Sequence, residues 1–142
     1  MDTRRYAFSD DSTRIDRDLV HRWLSEESYW AEGRSRAVQD AAIDGSRNFG
    51  VYDTETGRQV AYARVITDGV TFAWLCDVFV DASVRGDGVG VALIEQLLAT
   101  LEPLGLRRIV LSTADAHGLY EKSGFRALDD AARWMWRPGT LT

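Results

Sequence analysis

Apolar and polar positions follow two periods along the chain, and the switches between them mark out its elements. Arg4 to Ser9 reads as a short first strand, and Asp10-Asp11-Ser12 behind it is turn chemistry. From Asp16 to Ser25 the residues Leu19, Val20, Trp23 and Leu24 fall on one side of a helix that Asp16 or Thr13 would cap. Glu26 to Gly33 is less regular and holds Tyr29 and Trp30. A second helix, Ser35 to Ile43, carries the thin apolar face of Ala37, Val38, Ala41, Ala42 and Ile43, and it ends near Gly45. Asn48 to Tyr52 and Arg58 to Ile66 are strands joined by the hairpin turn Asp53-Thr54-Glu55-Thr56-Gly57. Thr67-Asp68-Gly69 then turns the chain into a run from Val70 to Val80.

Beyond Val80 the period lengthens. Val89, Val91, Leu93, Ile94, Leu97, Leu98 and Leu101 repeat at helical spacing, and Pro103 with Gly105 stops them. Arg107 to Ser112 reads as a buried strand of Ile109, Val110 and Leu111, so Trp74 through Ser112 forms a βαβ crossover with parallel strands. A helix from Asp115 to Ser123 breaks at Gly124, and Arg133 to Arg137, alternating Trp134 and Trp136 with Met135, predicts a closing strand. With no repeats, linkers or low-complexity stretches, residues 1–142 predict one α+β domain: a central mixed β-sheet flanked by helices.

Composition narrows the classes. A chain of 142 residues that is 45% hydrophobic, with five Trp, can build a core without staples. One cysteine, Cys76, excludes an intramolecular disulfide and a cysteine-cluster metal site, and two His without ligand spacing give no reason to expect a metal. No apolar run approaches the roughly 20 residues of a membrane span, and Met1 to Asp11 is polar, which predicts a soluble, cytoplasmic protein away from membranes. A net charge of −5 argues against a nucleic-acid partner.

The candidate chemistry lies where strand becomes helix. Gly86, Gly88 and Gly90 allow positive φ and close ligand approach, and the first amides of the following helix lack internal acceptors. Strand, glycine turn and helix start make a phosphate cradle, to which Arg85 adds charge. The dinucleotide pattern G-x-G-x-x-G does not fit, and no G-K-[ST] follows the glycines. Arg85-x-x-Gly88-x-Gly90 instead resembles the (Q/R)-x-x-G-x-(G/A) motif of the GNAT superfamily, the acyl-CoA-dependent N-acetyltransferases. Ala116-His117-Gly118-Leu119-Tyr120-Glu121-Lys122-Ser123-Gly124-Phe125 resembles that family's A-x-x-L-Y-x-x-x-G-F segment, in the right order and spacing.

The resemblance implies a GNAT-like fold that binds acetyl-CoA. Its pyrophosphate would lie on the amides of Arg85, Gly86, Asp87, Gly88, Val89 and Gly90, with the pantetheine arm along Val78, Phe79 and Val80. Tyr120 matches the family tyrosine that protonates the leaving thiolate; without that match, a helix tyrosine packed on the sheet would be the simpler reading. His117, one helical turn earlier, would orient Tyr120 or relay a proton, or would simply be half-exposed. Thr113 stands where many members have an Asn that seats the cofactor.

The general base is not evident. Register from Arg85 puts Trp74 where many members carry a Glu. Strand alternation sets Trp74, Cys76 and Val78 on one face and Asp77 on the other, unless a bulge intervenes. Asp77 is then either a base or an ion-pair partner of Arg64 or Arg107; Glu26, Glu27 and a water chain are the alternatives. Tyr29, Trp30 and Trp74 are candidates to wall in the acceptor, and Tyr29 and Trp30 are otherwise core residues. Cys76 is a small buried residue or, in a ping-pong route, an acetyl carrier, and Arg107-Arg108 would meet the ribose phosphate or solvent. The expected function is direct acetyl transfer from acetyl-CoA to a small primary amine, with a homodimer through the last strand. The alternatives are a protein N-acetyltransferase and a non-catalytic acyl-CoA-binding regulatory module.

Overall fold

Alternation and capping set the elements much as the sequence predicts. The computed structural model describes residues 1–140. In chain order they form β1 (Tyr6–Ser9), α1 (Arg17–Glu27), α2 (Arg36–Asp44), β2 (Arg47–Asp53), β3 (Gln59–Thr67), β4 (Phe72–Val80), α3 (Val89–Leu101), β5 (Arg108–Val110) and α4 (His117–Glu121). Asp16 caps α1 by accepting from the Leu19 amide, and Ser35 caps α2 by accepting from the Val38 amide. The sheet runs β1-β2-β3-β4-β5, antiparallel through β4, and α3 carries the crossover to the parallel β5. Fold class and βαβ unit are as expected.

The sheet is buried on both faces by different helices. Leu93, Ile94, Leu97 and Leu101 of α3 pack with Phe49, Val51, Ala61, Ala63, Val65, Ala73 and Leu75. On the other face Leu19, Val20, Trp23 and Leu24 of α1 and Ile43 of α2 cover Tyr62 and Phe79, with the Trp23 and Phe79 rings stacked at 5.3 Å. Two polar side chains buried beneath α1 and α2 are matched, whereas Nε2 of the buried Gln39 has no partner among the described residues. Asn48 donates to the Ile43 and Ser46 carbonyls and accepts from the Tyr62 hydroxyl, while Gln59 joins the Asp16 amide to the Ala61 carbonyl.

Two expectations fail. The segment 133–137 is not a strand. Residues Ala131–Arg133 form a 3-10 turn, and Asp130 accepts from the Trp134 indole while pairing with Arg108 at 3.3 Å. These contacts hold the Trp134 ring near Phe72 at 6.5 Å, and Met135 and Trp136 are left 95% and 86% exposed. Side-chain anchoring outcompetes edge pairing here, and Pro138 soon follows. The predicted strand at Arg107 to Ser112 also shortens to three residues, because the chain leaves the sheet after Val110.

The layering gives a direct test. Leu93→Ala empties a fully buried site between α3 and the sheet and should cost about 2–5 kcal/mol in chemical denaturation. Met135→Ser should shift stability by less than about 0.5 kcal/mol.

Candidate active site

Strands β4 and β5 pair only at Phe72–Arg108, Ala73–Ile109 and Trp74–Val110, and then diverge. Main-chain groups on the outer edge of β4 beyond that point lose their strand partner and face a wedge-shaped gap. A cavity of about 830 Å³ adjoins it, lined among others by Trp74, Val110, Thr113, His117, Tyr120 and Trp134.

The inner edge of β4 is irregular at the same level. Tyr62 pairs with Phe79 and Arg64 with Cys76, so Asp77 and Val78 together oppose the single residue Ala63. This is a β-bulge, and Asp77 has φ 54°, the one non-glycine in the left-handed region among the described residues. The bulge overturns simple alternation. Cys76, opposite Arg64, and Asp77 both lie on the α1–α2 face, whereas Val78 crosses to pack with the α3-side core. Trp74 shares the face of Cys76, as expected, but Asp77 is there too.

Asp77 is not a free base. Its side chain is 1% exposed and is gripped by Arg34 Nη1 at 2.7 Å, Arg64 Nε at 2.9 Å and the Trp30 indole N–H at 3.0 Å. Burial pushes its carboxyl upward, but hydrogen bonding to Arg34 and the charges of Arg64 and Arg34 outweigh that and hold it below the usual range. The ion-pair reading is therefore the correct one, with Arg64 but not Arg107. Arg34 was not foreseen at all; beyond its place after Gly33, the sequence carries no signal for it.

Tyr29 and Trp30 are not core residues. Trp30 binds Asp77, and the Tyr29 hydroxyl accepts from the Ala114 amide at 3.0 Å. The α1–α2 loop thus reaches both lips of the wedge. The loop is itself pinned to α1 through Ser28, Gly33 and a 2.8 Å contact between His21 Nε2 and the Arg34 carbonyl.

The cradle is narrower than predicted. The Arg85 and Asp87 amides already donate to the Ala82 and Val84 carbonyls. Those of Gly86, Gly88, Val89 and Gly90 have no such acceptor among the described residues, and Gly88, at φ 77°, caps α3 without a side-chain bond. A Cβ at Gly90 would meet Val80 and Leu119 side chains at 3.4 and 3.6 Å, so that glycine serves close packing of α3 on β4 and α4. Arg85 folds back, donating to the Val80 carbonyl with its guanidinium over Phe79, and the Asp87 carboxylate accepts from Tyr6.

Val78 and Val80 pack their side chains on the α3-side core and Phe79 on Trp23, and the Val80 carbonyl is already taken by Arg85. Tyr120 is buried with its ring edge-on to Phe125. Burial, then the nearby Tyr29 and Asp115, push its hydroxyl up to about 12, so it keeps its proton. His117 is exposed at the start of α4 and makes no hydrogen bond to Tyr120 among the described residues. Thr113 Oγ1 accepts from the Ala116 amide and shapes the approach to α4. Burial pushes the Cys76 thiol up to about 11, which speaks against an acetyl-cysteine route. Arg108 is engaged by Asp130 and Trp134; Arg107, Glu26 and Glu27 are exposed.

Asp77 should make the domain acid-sensitive. A carboxylate held below its unfolded value contributes stability above about pH 4, and that stability is lost as pH falls through the depressed folded value. Its charged and titratable neighbours are Arg34, Arg64, Cys76 and Tyr62, and the last three are all shifted upward, away from the acid range. Asp77→Ala should cost about 3–5 kcal/mol at neutral pH and flatten the loss of stability below about pH 4 in urea titrations.

The model of the acetyltransferase (GNAT) family matches residues 17–125. A crystal structure described as a GNAT-family protein from Xanthomonas campestris pv. campestris is 42% identical, with a TM-score of 0.88 over 94% of this chain and 93% of that one. The "Serotonin N-acetyltransferase 2, chloroplastic" of Oryza sativa subsp. japonica is 40% identical over 83 residues, which span 58% of this chain and 42% of that protein. A Mycobacterium tuberculosis protein solved in complex with CoA has the same fold at 15% identity, with a TM-score of 0.71 over 87% of this chain and 73% of that one.

Proposed function

The chain belongs to the acetyltransferase (GNAT) family, and from that premise we propose that it moves an acetyl group from acetyl-CoA directly to a small primary amine. The observation that carries the reading is the juxtaposition of an unpaired β4 edge, an uncapped helix start and a buried phenol around one wedge. When bound, acetyl-CoA supplies an acetyl group activated as a thioester. The free amides of Gly86, Gly88, Val89 and Gly90 suit its pyrophosphate, and the β4 backbone from Val78 to Val80 suits its pantetheine arm. The group thus fits the residues present.

Tyr120 keeps its proton at Oη through the neutral range and so is a donor for a departing thiolate. No free carboxylate takes the part of the base at the bulge, so the acceptor's proton leaves through solvent. Tyr29 and Trp30, half-exposed on the loop that spans the wedge, and Trp74 across the gap are the acceptor wall. Aromatic walls suit a flat, apolar amine, and serotonin, named for the rice relative, is a rational first probe. We also extend the reading to self-association: exposed Met135 and Trp136 suit an interface with a second copy, and a monomer by light scattering at micromolar concentration would refute that.

Tyr120→Phe should leave coenzyme A affinity by calorimetry and the melting temperature close to wild type. It should lower kcat with serotonin, or the best amine in a thiol-release screen, by about 10²–10⁴-fold, with residual turnover rising as pH falls. Wild-type turnover by this variant would leave the phenol a packing residue. Failure to bind coenzyme A, or to acetylate any amine in the screen, would sink the acetyl-transfer reading itself.

A further inference from the structure

The loop between α1 and α2 and the bulge of β4 are separate pieces of chain joined by one buried carboxylate. Asp77 Oδ2 accepts from Arg34 Nη1 and Arg64 Nε, and Oδ1 accepts from the Trp30 indole, with Arg34 Nη2 at 3.4 Å. Both arginines are held from behind, Arg34 Nη1 by Gln39 Oε1 at 3.0 Å and Arg64 Nη1 by Ser46 Oγ at 3.1 Å. Asp77 is therefore oriented from three directions, by β3, by the loop and, through Gln39, by α2.

A non-glycine residue at φ 54° occupies a sparsely populated conformation, which persists only where its surroundings over-determine it. Aspartate tolerates the left-handed region better than most residues, but tolerance alone does not select it. The clamp supplies the selection, and it acts where β4 turns its unpaired edge to the wedge.

We propose that Asp77 is a positioning residue: held by Arg34, Arg64 and Trp30, it fixes the β4 bulge and locks it to the loop that walls the acceptor side. The cleft edge and the acceptor wall then form one rigid piece. Tyr29 extends that piece to the opposite lip through the Ala114 amide. Amides at the bulge, kept at a fixed angle, are suited to meet charge that develops on a carbonyl oxygen in the gap. The consequence for catalysis rests on the acetyl-transfer reading, whereas the mechanical claim does not.

The test uses the full chain with Asp77→Asn, which keeps size and hydrogen-bonding capacity but loses the charge, and Trp30→Phe, which removes one bond and leaves both ion pairs. Amide hydrogen exchange in the cofactor-free protein should quicken at least tenfold from Cys76 to Phe79 in Asp77→Asn, relative to Leu93–Leu97 in α3, and by less in Trp30→Phe. With serotonin as probe, kcat should fall about 10–10²-fold in Asp77→Asn while coenzyme A affinity changes less than about threefold. Arg34→Met should behave like Asp77→Asn, and Arg34→Lys should recover part of the loss.

Unchanged local exchange in a folded Asp77→Asn protein would overturn the proposal. So would exchange that rises equally in α3, which would make the cluster a general stabiliser. If Asp77→Asn does not fold, local exchange in Trp30→Phe indistinguishable from wild type overturns the proposal. A wild type with no acetyl transfer but a bulge that loosens on cue would keep the clamp and discard the catalytic role.

Discussion

A peptide group withdrawn from water without a partner costs about as much as a lost hydrogen bond, and β4 runs into that constraint where β5 turns away. Up to Trp74 the strand is satisfied on both edges. Beyond it one edge faces the wedge, and the other can keep pairing with β3 only by bulging at Asp77 and Val78. Such main chain persists only where solvent or a ligand can meet it. The gap follows from topology, since α3 must carry the chain back to start β5, and β5 leaves the sheet after three residues.

The charge cluster at Asp77 belongs to the same constraint. A regular strand would have put a side chain of the other face at this position, and β4 would have gone on as a buried apolar run. The bulge instead places residues 76 and 77 together on the α1–α2 side, beside Arg64. A lone arginine there would be expensive to bury; with Asp77 it becomes a pair, and Arg34 closes the remaining acceptor capacity of the carboxylate. Three hydrogen-bonded groups thus stabilise a backbone irregularity that an apolar core could not specify.

The sequence made the sheet order of the βαβ unit, the Asp16 cap and the Tyr120 helix readable, because period, glycine spacing and cap residues are local signals. The bulge was anticipated only as a condition that would spoil alternation, since nothing between Leu75 and Val80 announces an extra residue. Arg34 was illegible because its partner lies 43 positions away. The predicted strand at 133–137 failed for the opposite reason. Its alternation of Trp and Met is real, but Asp130 and Arg108 capture the Trp134 indole, a contact that periodicity cannot express.

Burial of Tyr120 links the core to the chemistry. The residue sits in the same apolar cluster as Leu93 and Ile94, and its short helix is fastened to the rest through Leu119 against Gly90. Packing that a simple reading would call structural also pushes the phenol further above its ordinary value, because desolvation disfavours the phenolate first and the neighbouring Tyr29 and Asp115 only add to it. The same withdrawal from water operates at Cys76, where it suppresses a thiolate. Desolvation thus pushes both groups toward their neutral forms, which suits the proposed direct transfer better than a route through sulfur.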